Sequence, residues 1–237
     1  MSDKWQKIWS KKELMKDKSI SLEDLIKADG FDTGVGSYTP NSWEIMVDDF
    51  CNRVKIKDTH NLVEIGCGSG AFIYAANDIC TANWYGIDYS DSLVKAAKKA
   101  MPNGTFIADE AINSNFPKIL FDVVFSHSVF HYFPSQDYAE NVLRTWCAKI
   151  RKNGYLVLLD INDSKEEETY HSERAKAYFS PEEYKKSYLG LTHLFFDKSK
   201  LSNVLSNIGM SDIEFFPHKV SDYGNSKFRF NLICKKQ

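Results

Sequence analysis

No stretch of this 237-residue sequence approaches the ~20 consecutive apolar residues that a bilayer-crossing helix needs. The opening "MSDKWQKIWSKKELMKDKS" is charged throughout and lacks the apolar region of a secretory leader. Its five cysteines (Cys51, Cys67, Cys80, Cys147 and Cys234) are odd in number, scattered, and form no C-x-x-C pair. That pattern fits reduced thiols and excludes both a disulfide framework and a cysteine zinc site. An excess of positive charge is missing too: Lys and Arg total 30 against 32 Asp and Glu, a net charge of -2. A nucleic-acid footprint normally needs a basic face, and "KAAKK" at Lys95 to Lys99 reads instead as the solvated side of one helix. The six histidines show no metal-ligand spacing, and no internal repeat or low-complexity tract interrupts the chain. What remains is a cytoplasmic globular chain of one full-sized domain, with an ordinary 26% charged and 43% hydrophobic composition.

Along that domain, short apolar segments alternate with helical ones. Residues 61–66, 83–88, 104–108, 121–126 and 154–161 read as strands. Helices are expected over Asn41 to Val54, Gly70 to Cys80, Asp91 to Met101 and Ser135 to Arg151. In the last, Tyr138, Val142, Trp146 and Ile150 recur every four residues. Such alternation means right-handed βαβ units and a parallel sheet covered on both faces. Ser21 with Asp24 marks an earlier helix start, and Gly30 its stop. Trp5 and Trp9, four apart, can dock on one face of an N-terminal helix.

The alternation stops after Ile161. A charged segment follows, helical in pattern, with Ser180, Pro181 and Glu183 set as a capping signal. "LTHLFF" reads as extended, "DKSKLSNVLSNIG" as a helix, and two strands follow with "SDYGN" between them. Strands so joined must pair antiparallel. The expected architecture is therefore α/β: a doubly wound, seven-stranded, mostly parallel sheet with an antiparallel C-terminal hairpin and helices on both faces. One domain spans 1–237, with an N-terminal cover over 1–40, a core over 41–161, a helical cap over 162–195, and the last helix and hairpin over 196–237.

"NLVEIGCGSGAF" carries the first functional signal. Gly66, Gly68 and Ala71 satisfy the G-x-G-x-x-A turn of dinucleotide folds, and Gly66, Gly68 and Gly70 equally satisfy the G-x-G-x-G turn of S-adenosylmethionine (SAM) enzymes. A pyrophosphate would draw on the helix dipole there. SAM has no phosphate and carries a sulfonium and an ammonium, so its site should add acids near the loop. Glu64, an acid in an apolar strand two residues before the first glycine, supplies one. Asp88, 22 residues after Gly66 at the end of the second strand, can accept both ribose hydroxyls of either ligand. Asp109 ends the third strand, where a carboxylate can take an adenine amine.

Together "VEIGCGSG", "YGIDYS", "FIADEA", "FDVVFSHSVFHYFP" and "LRTWCAKIRKNGYLVLLDI" resemble the class I, Rossmann-like, SAM-dependent methyltransferases over residues 60–161. The resemblance implies SAM as cofactor and S-adenosylhomocysteine as product. It implies that Glu64, Gly66, Gly68 and Gly70 line the methionine part, with Cys67 offering backbone contacts. It places Asp88, with Tyr89 and Ser90, at the ribose, and Asp109, Glu110 and Ala111 at the adenine. Tyr38 is expected to close over the cofactor, and Ser126 to line it from the fourth strand. Residues 1–40 and 162–195 fall outside the resemblance.

Methyl transfer to an alcohol needs a proton removed, whereas an amine needs only to be neutral, so a base is informative about the acceptor. His127 and His131 follow the fourth strand at the sheet's C-terminal edge, where open α/β sheets hold ligands. His193 lies where a late extended segment can face the acceptor. These three are the candidate catalytic residues. The function expected is O-methylation of a hydroxyl on a small polar metabolite, sugar-like or phosphate-bearing. N-methylation of a small amine, a nicotinamide-dependent oxidoreductase and a non-catalytic SAM-binding partner protein are the rival readings. The expected partner is a small-molecule acceptor, with no nucleic acid, no membrane and no metal, and a homodimer is the one assembly left open.

Overall fold

The computed structural model describes residues 3–9, 12, 19–113, 115–116, 119–187, 189, 191–220 and 222–237. Among the described residues three α-helices precede the sheet: α1 (Asp3–Trp9), α2 (Leu22–Ala28) and α3 (Pro40–Val54). Ser21 and Asp24 form the reciprocal capping box that opens α2, and the Thr39 side chain with Pro40 at N1 starts α3. Then come β1 (Asn61–Ile65), α4 (Ala71–Ile79), β2 (Asn83–Asp88), α5 (Asp91–Ala100), β3 (Thr105–Ala108), β4 (Phe121–His127), α6 (Gln136–Cys147) and β5 (Ile150–Asn162). Past the core lie α7 (Glu167–Ala175), α8 (Pro181–Ser187), α9 (Lys198–Asn207), β6 (Met210–Phe216) and β7 (Arg229–Lys236).

The seven strands run in the order β3-β2-β1-β4-β5-β7-β6. The first five pair in parallel, and β7 inserts antiparallel between β5 and β6. Strand order reverses between β2–β1 and β4, so the crevice at the C-terminal ends of β1 and β4 is where this topology puts a ligand. Side chains of β1 alternate between two apolar layers: Leu62 packs with Trp43, Phe50 and Phe72, whereas Val63 and Ile65 pack with Val142, Trp146 and Leu205. Helices α2 to α5 cover the first face, and α6 and α9 the second.

Four local expectations are corrected. Helix α6 ends at Cys147, and Ile150 completes its apolar stripe from the start of β5 instead. "LTHLFF" forms no strand; Phe196 alone makes a bridge, with Asp163. The connection between β6 and β7 runs over residues 217–228, because Pro217 has no N–H for the ladder and Ser226–Phe228 turn in a short 3-10 helix. At α8, the Ser180 hydroxyl accepts the Glu183 N–H at 3.1 Å, but the Glu183 carboxylate accepts from the Phe179 N–H at 2.9 Å, one residue earlier than a standard box.

Candidate active site

One cleft of ≈ 740 Å³ opens over the C-terminal ends of β1, β2 and β4. It falls within the size range of small-molecule sites. At one end stand Asp29, Glu64, Asp88 and Glu110; at the other stand Arg174, Lys227 and Arg229 with Glu173.

The glycine turn explains the acidic end. Gly66 and Cys67 both donate their N–H groups to the Ile87 carbonyl, at 2.7 and 3.0 Å, and Gly70 donates to Cys67 at 2.8 Å. Gly68 donates to Asp88 Oδ2 at 3.0 Å, and Ser69 to Asp29 Oδ1 at 2.6 Å. Every amide from Gly66 to Gly70 thus has an internal acceptor. Asp29, just past α2, reaches that position because Gly68 has a φ of 51° and no side chain; a Cβ there would collide with the Asp29 carboxylate. A protein carboxylate therefore already occupies the N-terminus of α4, the place where a dinucleotide fold holds its pyrophosphate.

Glu64 lies beneath the same turn, buried, and its Oε2 has no hydrogen-bond partner among the described residues. Burial pushes the Asp29 carboxyl up to about 7, and the Asp88 charge adds to that. Asp88 is raised to about 6, again by burial, against the opposing hydrogen bonds from Ser90 and Gly68. Glu64 is driven well above the usual carboxylate range by burial and then by the Asp29 and Asp88 charges. Three acids crowded around one turn suit a positive ligand that brings no phosphate. The residues present fit SAM: Asp29 and Glu64 would face its cationic methionine end, and Asp88 its ribose. Both Asp88 oxygens hold backbone N–H groups, of Gly68 and of Ser90 at 2.8 Å, yet each keeps a second lone pair for a hydroxyl.

The crowding has a pH signature. Asp29 and Asp88 have raised folded-state values, so the ligand-free fold holds protons that the unfolded chain, near 3.9, releases. That contribution to stability is complete below about pH 4 and is lost as pH rises through about 6 and about 7. A cation needs the ionised forms, so SAM affinity is expected to rise between about pH 5.5 and 7.5. S-adenosylhomocysteine, without the sulfonium charge, should show a shallower rise. Titration calorimetry across that range checks this; equal slopes for the two ligands would remove the carboxylates from sulfonium recognition.

Of the residues expected at the site, Glu64, Gly66, Cys67, Gly68, Asp88, Tyr89, Glu110, Ala111, His127 and His193 line the cleft. Cys67 cannot offer its N–H there, since Ile87 takes it. Six others are not among the residues that line the cleft. Tyr38 stacks on Tyr223 at 4.1 Å, behind the wall. Gly70 backs onto Met101 and Ala97 of the α5 side. Ser90 turns its hydroxyl to Ser92, at 3.0 Å, and the Trp9 carbonyl. Asp109 is engaged by the amides of Asn113 and Asn115, which hold its carboxyl below the usual range. Ser126 donates to the Ile65 carbonyl at 2.8 Å. His131 is fully buried against Tyr132 and His193, so it packs the wall from behind.

His127 sits among Phe31, Trp43 and Phe72, and burial lowers it to about 4. His193 is lowered to about 3 by burial and then by Arg229 and Arg174. Its Nδ1 lies 2.9 Å from the Tyr170 hydroxyl, its ring stacks on Trp5 at 5.0 Å, and its Nε2 has no hydrogen-bond partner among the described residues. Trp5 and Trp9 also pack on Tyr132, which ties α1 to the cleft. Sequence reasoning missed Asp29, Tyr223, Arg174 and Arg229. Only Arg229, a charge at the head of an apolar strand, carried a visible signal.

Residues 63–158 match the family model described as a methyltransferase domain. An uncharacterised methyltransferase of Schizosaccharomyces pombe is 30% identical over 93 residues, 38% of this chain and 35% of that protein. The tRNA (carboxymethyluridine(34)-5-O)-methyltransferase of Saccharomyces cerevisiae is 25% identical over 96 residues, 40% of this chain and 33% of that protein. The match thus spans about a third of these curated relatives. Magnesium protoporphyrin IX methyltransferase from Synechocystis, solved with bound S-adenosylhomocysteine, superposes with a TM-score of 0.62 at 15% identity, covering 99% of this chain and 94% of that one. The sheet order, the acid-ringed glycine turn and the family match agree: residues 63–158 of this chain form a methyltransferase domain, and the fold around it is that of SAM-dependent methyltransferases.

Proposed function

We propose that this protein transfers a methyl group from SAM to a hydroxyl of a small polar acceptor. The observation that carries the cofactor half is Asp29 on the Ser69 N–H, with Glu64 and Asp88 around the same turn. A pyrophosphate would meet three carboxylates and no open amide there, which disfavours the nicotinamide reading. Calorimetry with SAM and with NADH separates the two: SAM should bind and NADH should not, and the reverse result would sink the proposal.

When bound, SAM supplies a methyl group on a sulfonium that leaves as a neutral thioether. The protein's part is to hold the acceptor in line, keep water out and accept a proton. Trp5, Trp9, Tyr132, Tyr178 and Phe228 wall the acceptor end, largely from segments outside residues 63–158. His193 is the base in this reading. It is neutral at physiological pH, lines the cleft, and is oriented through Nδ1 by Tyr170, which leaves Nε2 for the acceptor. The competing base, His127, is enclosed by the rings of Phe31, Trp43 and Phe72. O-methylation rests on the oriented imidazole of His193, because an amine acceptor would not need it.

His193→Ala is expected to leave SAM affinity within about twofold and to lower kcat by about 10²–10⁴. Tyr170→Phe should lower kcat by a smaller factor, and His127→Ala should act mainly on KM. Release of S-adenosylhomocysteine, followed with a panel of hydroxylated acceptors, measures all three. Undiminished turnover in the His193 variant would remove it as the base, and SAM binding without turnover on any acceptor would favour the non-catalytic reading.

A further inference from the structure

The acceptor end of the cleft is charged oppositely to the cofactor end. Arg174 comes from α7, Lys227 from the turn before β7, and Arg229 from the first position of β7. All three line the cleft and all lie outside residues 63–158. Glu173 is the one carboxylate among the described lining residues at that end, and it sits at the half-exposed rim, 3.5 Å from Lys227 and 3.5 Å from Lys176.

Arg229 is the best placed of the three cations. It is 8% exposed, and its Nη1 is held by Asp160, by the Tyr223 oxygen at 2.9 Å and by the Ser128 hydroxyl at 3.2 Å. Its Nε is buried without a hydrogen-bond partner among the described residues. The guanidinium is thus fixed in orientation, with a donor still unmatched beside the cleft; a buried donor in that state is destabilising until an acceptor arrives. Arg174 lies over the Tyr170 ring at 4.5 Å with one nitrogen 3.5 Å from Asn225 Oδ1, so its fork is also held in place. Lys227 projects over the Phe228 ring. Two oriented guanidinium forks and an ammonium around one pocket are the geometry that recognises a carboxylate or a phosphate ester.

We propose that the methyl acceptor is a hydroxylated ring compound bearing an anionic group, carboxylate or phosphate monoester, which docks between Arg229, Arg174 and Lys227. Its flat body lies against the aromatic wall, and its hydroxyl faces His193 and the cofactor. This rests on the methyltransferase reading and deepens it by naming the acceptor class. The docked anion also has an effect on the base: Arg229 and Arg174 are the charges that depress His193 after burial, and a negative group between them opposes that depression. The acceptor would then help to make its own base competent.

The test uses the full chain loaded with S-adenosylhomocysteine and three probes of one shape: 4-hydroxybenzoate, 4-hydroxyphenyl phosphate and the neutral 4-hydroxybenzamide. Calorimetry should show at least one anionic probe binding about tenfold or more tighter than the amide, as expected for a charge-assisted hydrogen bond. The tighter of the two anions identifies carboxylate or phosphate. Arg174→Gln and Lys227→Gln should each reduce the preference severalfold with S-adenosylhomocysteine affinity unchanged. Arg229→Gln should abolish it, but that variant also disturbs a buried ion pair, so the first two substitutions are decisive. No preference for either anion, including no binding of any probe, overturns the proposal, as does a preference that survives both substitutions. Failure to bind S-adenosylhomocysteine would count against the methyltransferase reading alone, because the three probes can be compared on the ligand-free chain.

Discussion

Asp88→Ala is expected to weaken SAM binding by about a hundredfold or more, the loss of two charge-assisted hydrogen bonds. The carboxylate lies at the end of β2 with one oxygen on the Gly68 N–H and the other on the Ser90 N–H. Alanine therefore removes the ribose acceptor, and it also frees two buried donors and unpins the glycine turn from the start of α5. Asp88→Asn separates these effects. The amide keeps one acceptor for the backbone but offers no charge and only half the lone pairs, so its binding should fall between wild type and alanine. Far-UV circular dichroism and a denaturant midpoint establish that each variant is folded before calorimetry is read. If the alanine variant is folded and binds SAM with wild-type affinity, the ribose assignment fails. Asp29→Asn should weaken SAM by a smaller factor, about tenfold, because Glu64 and Asp88 remain around the turn.

The sheet was legible because its signals are local and redundant. Five apolar segments separated by helical periodicity imply parallel crossovers, and the last two strands, with no helix between them, imply antiparallel pairing. The place of Glu64, Gly66, Gly68 and Asp88 on the cleft wall was legible for a related reason: they sit on strand ends and on the turn itself, so sequence position dictates where they point. Asp109 shows that position alone does not decide a side chain's partners; Asn113 and Asn115 follow it on the same turn and compete for its oxygens. Ser126 and Ser90 are engaged likewise, each hydroxyl finding a carbonyl or a neighbouring serine. Asp29 could not be found at all from its own surroundings. It reaches Ser69 across 40 residues of chain, and nothing in "KADGF" announces a long-range partner. The acceptor end shares that difficulty: Arg174, Tyr223 and Arg229 come from α7, a long connection and β7, and only the inserted order of β7 brings them together.

The second large effect is on stability and centres on Asp160. This residue lies within β5 where the register to β7 shifts between Leu158 and Ile161, and its φ of 64° turns the side chain away from the regular pleat. The carboxylate is completely buried. It pairs with Arg229 Nη1, accepts the Tyr223 hydroxyl at 2.9 Å, and stands 3.3 Å from His218 Nε2. Burial alone would raise its pKa, but the Arg229 cation and then His218 outweigh it and hold the carboxyl well below the usual range. Removing the charge strands Arg229 among His127, His131 and His193, all of which that cation already disfavours in their protonated forms. Asp160→Asn is the clean substitution, since asparagine tolerates a left-handed backbone and keeps one acceptor. It is expected to destabilise the fold by about 3–5 kcal/mol, the usual consequence of leaving one member of a buried pair alone. Out of a total near 5–15 kcal/mol, that is a large share. Urea midpoints measure it, and adding Arg229→Met should recover part of the loss by removing the stranded cation. Because the folded pKa of Asp160 is depressed, its contribution is complete above about pH 4 and is lost as pH falls towards the folded value. The double variant should therefore lose less stability in acid than wild type does. An Asp160→Asn protein with a wild-type midpoint would show that the pair does not hold β5 to β7. Because Asp160 itself does not line the cleft whereas Tyr223 and Arg229 do, the variant should keep SAM affinity and lose acceptor turnover, which places the cluster's functional effect at the acceptor end.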